Sequence, residues 1–275
     1  MMSINEPQAS AADEPHPEIS GLLEQMGAAP MPEFSSLSPT GARKLMKEMF
    51  PQPEEPEPVG NVMDIELGDE GVPVRVYVPE GQGPFPTVVY FHGGGWVIGD
   101  LDTHDETCRI LSNESDCMVV SVDYRLSPEH TFPTPLEDCY TALEWVVDDS
   151  LTMQVDTENI FVAGDSAGGN LAAAVALLAR DRDGPPIAHQ TLIYPVTNHG
   201  FDTASYEENG DGGMLSKADM EWFWDKYLPS DVHGKNPYAS PLQAKNLEGL
   251  PPATVVTCGL DPLRDEGALY AQELN

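Results

Sequence analysis

The chain has 275 residues, 40% of them hydrophobic, enough to bury the core of one α/β domain with a lid or of two small domains. Asp and Glu number 46 against 13 Lys and Arg, a formal net charge of −33, which excludes nucleic acid and an anionic membrane surface as partners. Because the acids are scattered and not gathered in a tail, they read as a solvated surface whose self-repulsion high salt relieves.

Residues 1–20 are polar and rich in Glu, Pro and Ala, a composition expected to be mobile. They hold neither a basic n-region nor an apolar h-region, and no run in the chain is long enough to cross a bilayer. A cytoplasmic location without membrane insertion is the expectation. Two short amphipathic pieces follow, at 22–26 and at 42–50, the second introduced by Ser38-Pro39-Thr40. Too short to form a core, they are expected to dock as part of a lid, with the proline-rich stretch 51–58 as a linker.

From Asn61 the pattern changes. Residues 62–67 and 74–78 alternate apolar and polar around a turn at Gly71, which predicts an antiparallel pair at a sheet edge. Continuous apolar runs at 87–91, 118–122, 160–163, 191–194 and 254–258 predict strands covered on both faces. Helical patterns at 105–112, 136–148, 170–180 and 268–274 separate most of them. The alternation predicts an α/β fold, a mainly parallel sheet flanked by helices, with chemistry at the C-terminal ends of the strands. One segment interrupts it: within 198–247, a Gly- and Asp-rich loop leads to a helix at 216–227 that carries Trp222, Phe223 and Trp224. That helix is assigned to the lid, where Trp222, Phe223 and Trp224, with Trp96, are expected to line an acyl pocket; the alternative is that its aromatics only pack the lid onto the sheet. Cys108, Cys117, Cys139 and Cys258 are irregularly spaced, without CxxC, and read as buried free thiols. His104 and Cys108 alone are too few for a metal site, and no metal or cofactor is implied.

The chemistry is carried by Gly164-Asp165-Ser166-Ala167-Gly168, which follows an apolar strand and opens an alanine-rich helix. In such a turn the two glycines let the backbone double back and lift the serine hydroxyl into a cleft, where the helix N-terminus favours developing negative charge. His92-Gly93-Gly94-Gly95-Trp96 follows the first buried strand. Its glycines free backbone N–H groups to hold an oxyanion together with that of Ala167, the donors being Gly93 and Gly94 or Gly94 and Gly95.

These two motifs, together with Asp123-Tyr124-Arg125-Leu126-Ser127-Pro128-Glu129-His130 and Asp261-Pro262-Leu263-Arg264-Asp265-Glu266-Gly267, stand in the order seen in the hormone-sensitive-lipase family of α/β-hydrolases. The chain resembles that family from about residue 20 to its end. The resemblance implies a hydrolase core over 56–197 and 248–275, capped by an N-terminal segment (1–55) and an inserted one (198–247). It implies hydrolysis of short-chain carboxylic esters, a small-molecule substrate, with Asp261 as the acid that orients a histidine; Asp265 reads as a helix N-terminal charge. A homodimer is left open.

One part of the family pattern fails. The catalytic histidine is expected about thirty residues past the acid, yet none follows Asp261 before Asn275. His199-Gly200-Phe201 resembles the family's His-Gly-Phe but precedes the acid. Truncation, with loss of the last strand and helix, is the expectation, and with it impaired turnover. Plant gibberellin receptors resemble the same family without that histidine, so an inactive small-ligand-binding protein is the alternative.

Overall fold

The alternating stretches and the continuous runs become strands of one sheet. The computed structural model describes residues 14–17, 19–21, 32–68, 71–211 and 214–275. In chain order its helices and strands are α1 (Pro39–Met49), β1 (Asn61–Leu67), β2 (Val72–Val78), β3 (Phe85–Phe91), α2 (Asp105–Ser115), β4 (Met118–Val122), α3 (Thr134–Asp148), α4 (Ser150–Met153), β5 (Val155–Asp165), α5 (Ala167–Asp181), β6 (His189–Ile193), α6 (Ala204–Asn209), α7 (Lys217–Tyr227), β7 (Ala253–Val256) and α8 (Arg264–Glu273).

The strands lie in the order β1-β2-β4-β3-β5-β6-β7. The two alternating strands pair antiparallel at one edge, β2 joins β4 antiparallel, and every later pair is parallel. Side chains then sort by face. Val74, Val76, Val89, Phe91, Val120, Val122, Ile160 and Val162 share a core with α3, α5 and Tyr270 of α8. Tyr77, Val88, Tyr90 and Val119 pack on the opposite face against Cys108 and Leu111 of α2. The small side chains of α5 let it lie close on the sheet, and its residues from Ala167 to Ala179 are all buried.

One strand departs from expectation. The run around β7 reads as covered on both faces, but Thr254, Val256 and Cys258 are exposed while Ala253, Val255 and Thr257 are half-buried. β7 is the outer strand of the sheet beside β6, and Val256 keeps 45% of its surface in solvent. The expectation of buried thiols fails at the same place, since Cys258 is exposed whereas Cys108, Cys117 and Cys139 are buried.

The piece expected at 22–26 lies outside the described residues, as does most of the stretch expected to be mobile. The second piece forms α1, capped by Ser38, whose hydroxyl accepts from the Gly41 N–H. Arg43 fixes α1 to the body, donating to the carbonyls of Val97 (2.8 Å) and Ser127 (2.9 Å) and gripping Glu129 with two nitrogens. The aromatic helix forms α7, opened by a capping box in which Ser216 and Asp219 exchange hydrogen bonds. Asp219 also accepts from the Ser35 N–H at 2.8 Å, and Phe34 packs on Phe223 with ring centroids 5.7 Å apart. The N-terminal segment and the inserted helix therefore hold each other.

Removing the cap tests that linkage. Ser216→Ala is expected to cost about 1 kcal/mol, measured by chemical denaturation. Asp219→Ala is expected to cost more, because the same carboxylate serves both the capping box and Ser35; equal losses would show that the Ser35 contact contributes nothing.

Candidate active site

Strand register decides which loops meet. Phe91 of β3 lies opposite Gly164 of β5, Asp165 opposite Ile193 of β6, and Ile193 opposite Val256 of β7. The glycine loop after β3, Ser166 after β5 and the turn carrying Asp261 after β7 thus leave the sheet at its C-terminal edge.

Ser166 sits at φ 54° and ψ −116°, a conformation that side chains other than glycine's rarely adopt. Three backbone hydrogen bonds hold it there. Its N–H donates to the Ile193 carbonyl (2.8 Å), and its carbonyl accepts from Asn170 (3.0 Å) and Val196 (3.2 Å). Gly164 and Gly168 are needed because a Cβ at either would collide with the Phe91 carbonyl oxygen. Asn170, fully buried, donates through Nδ2 to the carbonyls of Val196 and Ala239, both at 2.9 Å. The Ser166 hydroxyl is half-buried and accepts or donates no hydrogen bond among the described residues.

The glycine loop divides by role. Gly93 donates its N–H to Asp165 Oδ1 at 2.9 Å, so the expectation of Gly93 as an oxyanion donor is corrected: that proton is already engaged. Gly94 and Gly95 adopt φ 117° and 58°, and the Gly94 carbonyl accepts from Val97 (3.0 Å) and Ile98 (2.9 Å). Among the described residues, no group accepts from the N–H of Gly94, Gly95 or Ala167.

Asp261 is largely buried and accepts from the Leu263 N–H at 2.9 Å; burial pushes its pKa up to about 6. Asp265 is occupied elsewhere, accepting from Arg264 Nε (2.8 Å) and the Ser205 N–H (2.8 Å). No hydrogen bond joins a described histidine to Ser166 or Asp261.

The expected pocket residues part company. Trp96 and Trp224 are buried, tilted against each other at 4.6 Å between centroids with Trp96 stacked on Tyr227 at 4.1 Å, so both pack the interior and cannot line an open pocket. Phe223 is 3% exposed and lies so close over Gly95 that a Cβ there would strike its ring. Trp222 is half-buried, edge-on to Phe223, with the Lys226 ammonium 5.8 Å from its centroid.

Glu266 stands in one of the motifs that carry the family resemblance, but the sequence reading gave it no role. It lies in the first turn of α8, where an acid is ordinarily a helix-dipole charge, and its partners are distant in the chain. Its Oε1 accepts from the N–H of Thr197 (2.6 Å) and Asn198 (3.2 Å), and Thr197 Oγ1 donates to its carbonyl (2.9 Å). Since Val196 bonds the Ser166 carbonyl, Glu266 ties the helix after Asp261 to the segment that holds the serine. It is 1% exposed, and burial raises its pKa to about 8.

A family model described as an alpha/beta hydrolase fold matches residues 88–275. Carboxylic ester hydrolase LipN of Mycobacterium tuberculosis is 46% identical over 209 residues, which are 74% of this chain and 56% of that protein. Esterase LipI of the same organism is 40% identical over 259 residues, 92% of this chain and 80% of that protein. Among solved structures, ester-hydrolase EH1AB1 from the metagenome of Lake Arreo, complexed with a derivative of bipyridine phosphonate, is similar at TM-score 0.89 and 41% identity, covering 95% of this chain and 85% of that one. A hyperthermophilic esterase from the archaeon Pyrobaculum calidifontis gives TM-score 0.87 and 42% identity, covering 94% and 84%.

Glu266 offers a test by pH. Its folded pKa lies above the ordinary glutamate value of 4.5, so between 4.5 and about 8 the folded state holds a proton that the unfolded state releases, and stability falls as pH rises. Glu266→Gln keeps an oxygen for the two N–H groups and cannot ionise. Its thermal midpoint relative to the wild type is therefore expected to climb from pH 5 to pH 8; a constant difference across that range would contradict the buried neutral acid.

Proposed function

The chain belongs to the hormone-sensitive-lipase family of α/β-hydrolases, and on that premise we propose that it is a serine carboxylesterase acting on short-chain esters. The observation that carries this reading is the Ser166 hydroxyl, raised on a strained elbow and unengaged, in company with three backbone N–H groups that are also unengaged. Ser166 attacks the ester carbonyl, Gly94, Gly95 and Ala167 hold the oxyanion, the proton given up by the Ser166 hydroxyl passes to the departing alkoxide so that it leaves as the alcohol, and water then releases the acid from the acyl-enzyme and returns a proton to Ser166. Asp261 is the acid suited to orient an imidazole base and offset its positive charge. The short-acyl preference is supported by Phe223, whose ring closes down on Gly95 and narrows the space over the loop. We assign segments 1–55 and 198–247 to a cap over a core of 56–197 and 248–275, supported by the contacts of Phe34 and Ser35 with α7. Among the described residues, no helix is long and apolar enough to cross a membrane.

The test is covalent labelling by a fluorophosphonate, located by mass spectrometry, alongside hydrolysis of p-nitrophenyl esters of increasing acyl length. Ser166 is expected to carry the label, Ser166→Ala to lose both label and turnover, and acetate or butyrate to react faster than longer esters. Absence of label at Ser166 would overturn the reading; ligand binding without label or turnover would favour a small-molecule-binding protein.

The formal charge of −33 supports salt adaptation. Screening shortens from about 10 Å at 0.1 M salt to about 3 Å at 1 M, so the thermal midpoint is expected to rise on adding KCl through that range. An unchanged or falling midpoint would remove the salt-adapted part of the proposal.

A further inference from the structure

Asp165 precedes the nucleophile, yet its carboxylate is turned to the glycine loop, and its side chain is only 15% exposed. Its Oδ1 accepts from the Tyr90 hydroxyl at 2.7 Å and the Gly93 N–H at 2.9 Å, and His104 Nε2 stands 3.5 Å from the same oxygen. Tyr90 belongs to β3, Gly93 to the loop that β3 feeds, and His104 to the residue capping α2, so one oxygen gathers three separate elements. Burial pushes the Asp165 pKa up, but the hydrogen bonds from His104 and Tyr90 outweigh it and hold the carboxyl below its usual range. The group is thus an anion, and its bond to Gly93 is charge-assisted.

Gly93 is held on its other side as well. Its carbonyl lies 2.8 Å from His92 Nδ1, and because a carbonyl can only accept, that nitrogen carries the proton. The His92 ring is itself fixed, stacked on Tyr124 at 4.3 Å, while the Tyr124 hydroxyl donates to the His92 carbonyl at 2.8 Å. Gly99 closes the clamp: a Cβ there would lie 2.6 Å from the Gly93 carbonyl oxygen. Both polar groups of Gly93 are therefore committed, and the next two peptide planes start from a fixed origin.

We propose that Asp165 is a positioning residue of the oxyanion site, its carboxylate anchoring the Gly93 N–H so that the N–H groups of Gly94 and Gly95 are presented to the cleft before substrate arrives. The inference deepens the esterase reading and rests on it. Oxyanion donors accelerate reaction only when they are already aimed at the transition state. A residue that aims them acts on kcat and leaves ground-state binding alone.

Two substitutions separate anchoring from packing. Asp165→Asn keeps an oxygen for Gly93 and Tyr90, whereas Asp165→Leu has a similar volume and no acceptor. On p-nitrophenyl acetate the Leu variant is expected to lose about 100-fold in kcat with KM unchanged, and the Asn variant to recover most of that loss. Hydrogen exchange followed by NMR gives the readout that does not need turnover: the Gly93 amide is expected to exchange faster in Asp165→Leu and to stay protected in Asp165→Asn. Should the Leu variant fail to fold, Tyr90→Phe removes one donor to the same oxygen and is expected to lower kcat and Gly93 protection together, to a smaller degree. Equal behaviour of the Leu and Asn variants, or Gly93 protection indifferent to these changes, would overturn the proposal. If the wild-type chain hydrolyses no ester while Gly93 exchange responds as described, the esterase reading fails and the anchoring role stands.

Discussion

The close approach of the serine elbow to the end of β3 is the constraint on which the rest depends. The Phe91 carbonyl oxygen occupies the space where a Cβ of Gly164 or Gly168 would lie, and a Cβ on Gly168 would also come within 2.7 Å of the His92 carbonyl oxygen. Only glycine at both positions allows the turn after β5 to press against the strand beside it. That contact does two things at once. It forces Ser166 into its strained conformation, and it brings the start of the glycine loop against Asp165. The elbow and the loop meet because the backbone packs this tightly, not because a flexible loop closes over the serine.

The buried acids show how local donors decide the state of a group in a chain with few cations. Asp105, 5% exposed, accepts from Arg109 (2.6 Å), Tyr77 (2.8 Å) and Arg75 (3.1 Å); burial would raise its pKa, and these donors bring it below the usual value. Asp165 follows the same rule with Tyr90, Gly93 and His104. Asp261 and Glu266 meet only backbone N–H groups, too few to offset burial, and rise to about 6 and about 8. Around the site, then, side-chain donors bring Asp165 below its usual range, while Glu266 and Asp261, met only by backbone N–H groups, are pushed above theirs.

Much of this could be read from the residues because its causes are local. The glycine spacing around Ser166 encodes a clash between near neighbours in space, and alternation against continuous apolar runs distinguishes the antiparallel edge from the parallel strands of the sheet. What escaped depends on partners distant in the chain. Gly93 looks like an oxyanion donor until Asp165, 72 positions away, is seen to accept the hydrogen bond from its N–H. Trp96 follows three glycines and looks like a pocket wall; its stacking partners Trp224 and Tyr227 lie in the inserted segment, beyond the reach of any pattern in the loop. The exposed face of β7 was missed because an apolar run records what a strand can bury, not whether a helix covers it.

The burial of Trp96 also explains why α1 and α7 are not accessories. Phe223 touches Gly95, Trp224 and Tyr227 enclose the next residue, and Arg43 of α1 donates to the carbonyl of Val97 immediately beyond. The Trp96 carbonyl accepts from the Ser127 N–H at 2.8 Å, which adds the segment after β4 to the same grip. Loop residues 93 to 97 are thus held by the elbow from one end and by α1 and α7 from the other. A loop rich in glycine has the largest conformational entropy to lose on ordering, and no side chain of its own at the three positions that matter. Its rigidity has to be supplied by neighbours, and Phe223, Trp224 and Tyr227 of α7 supply it by packing against Gly95 and Trp96.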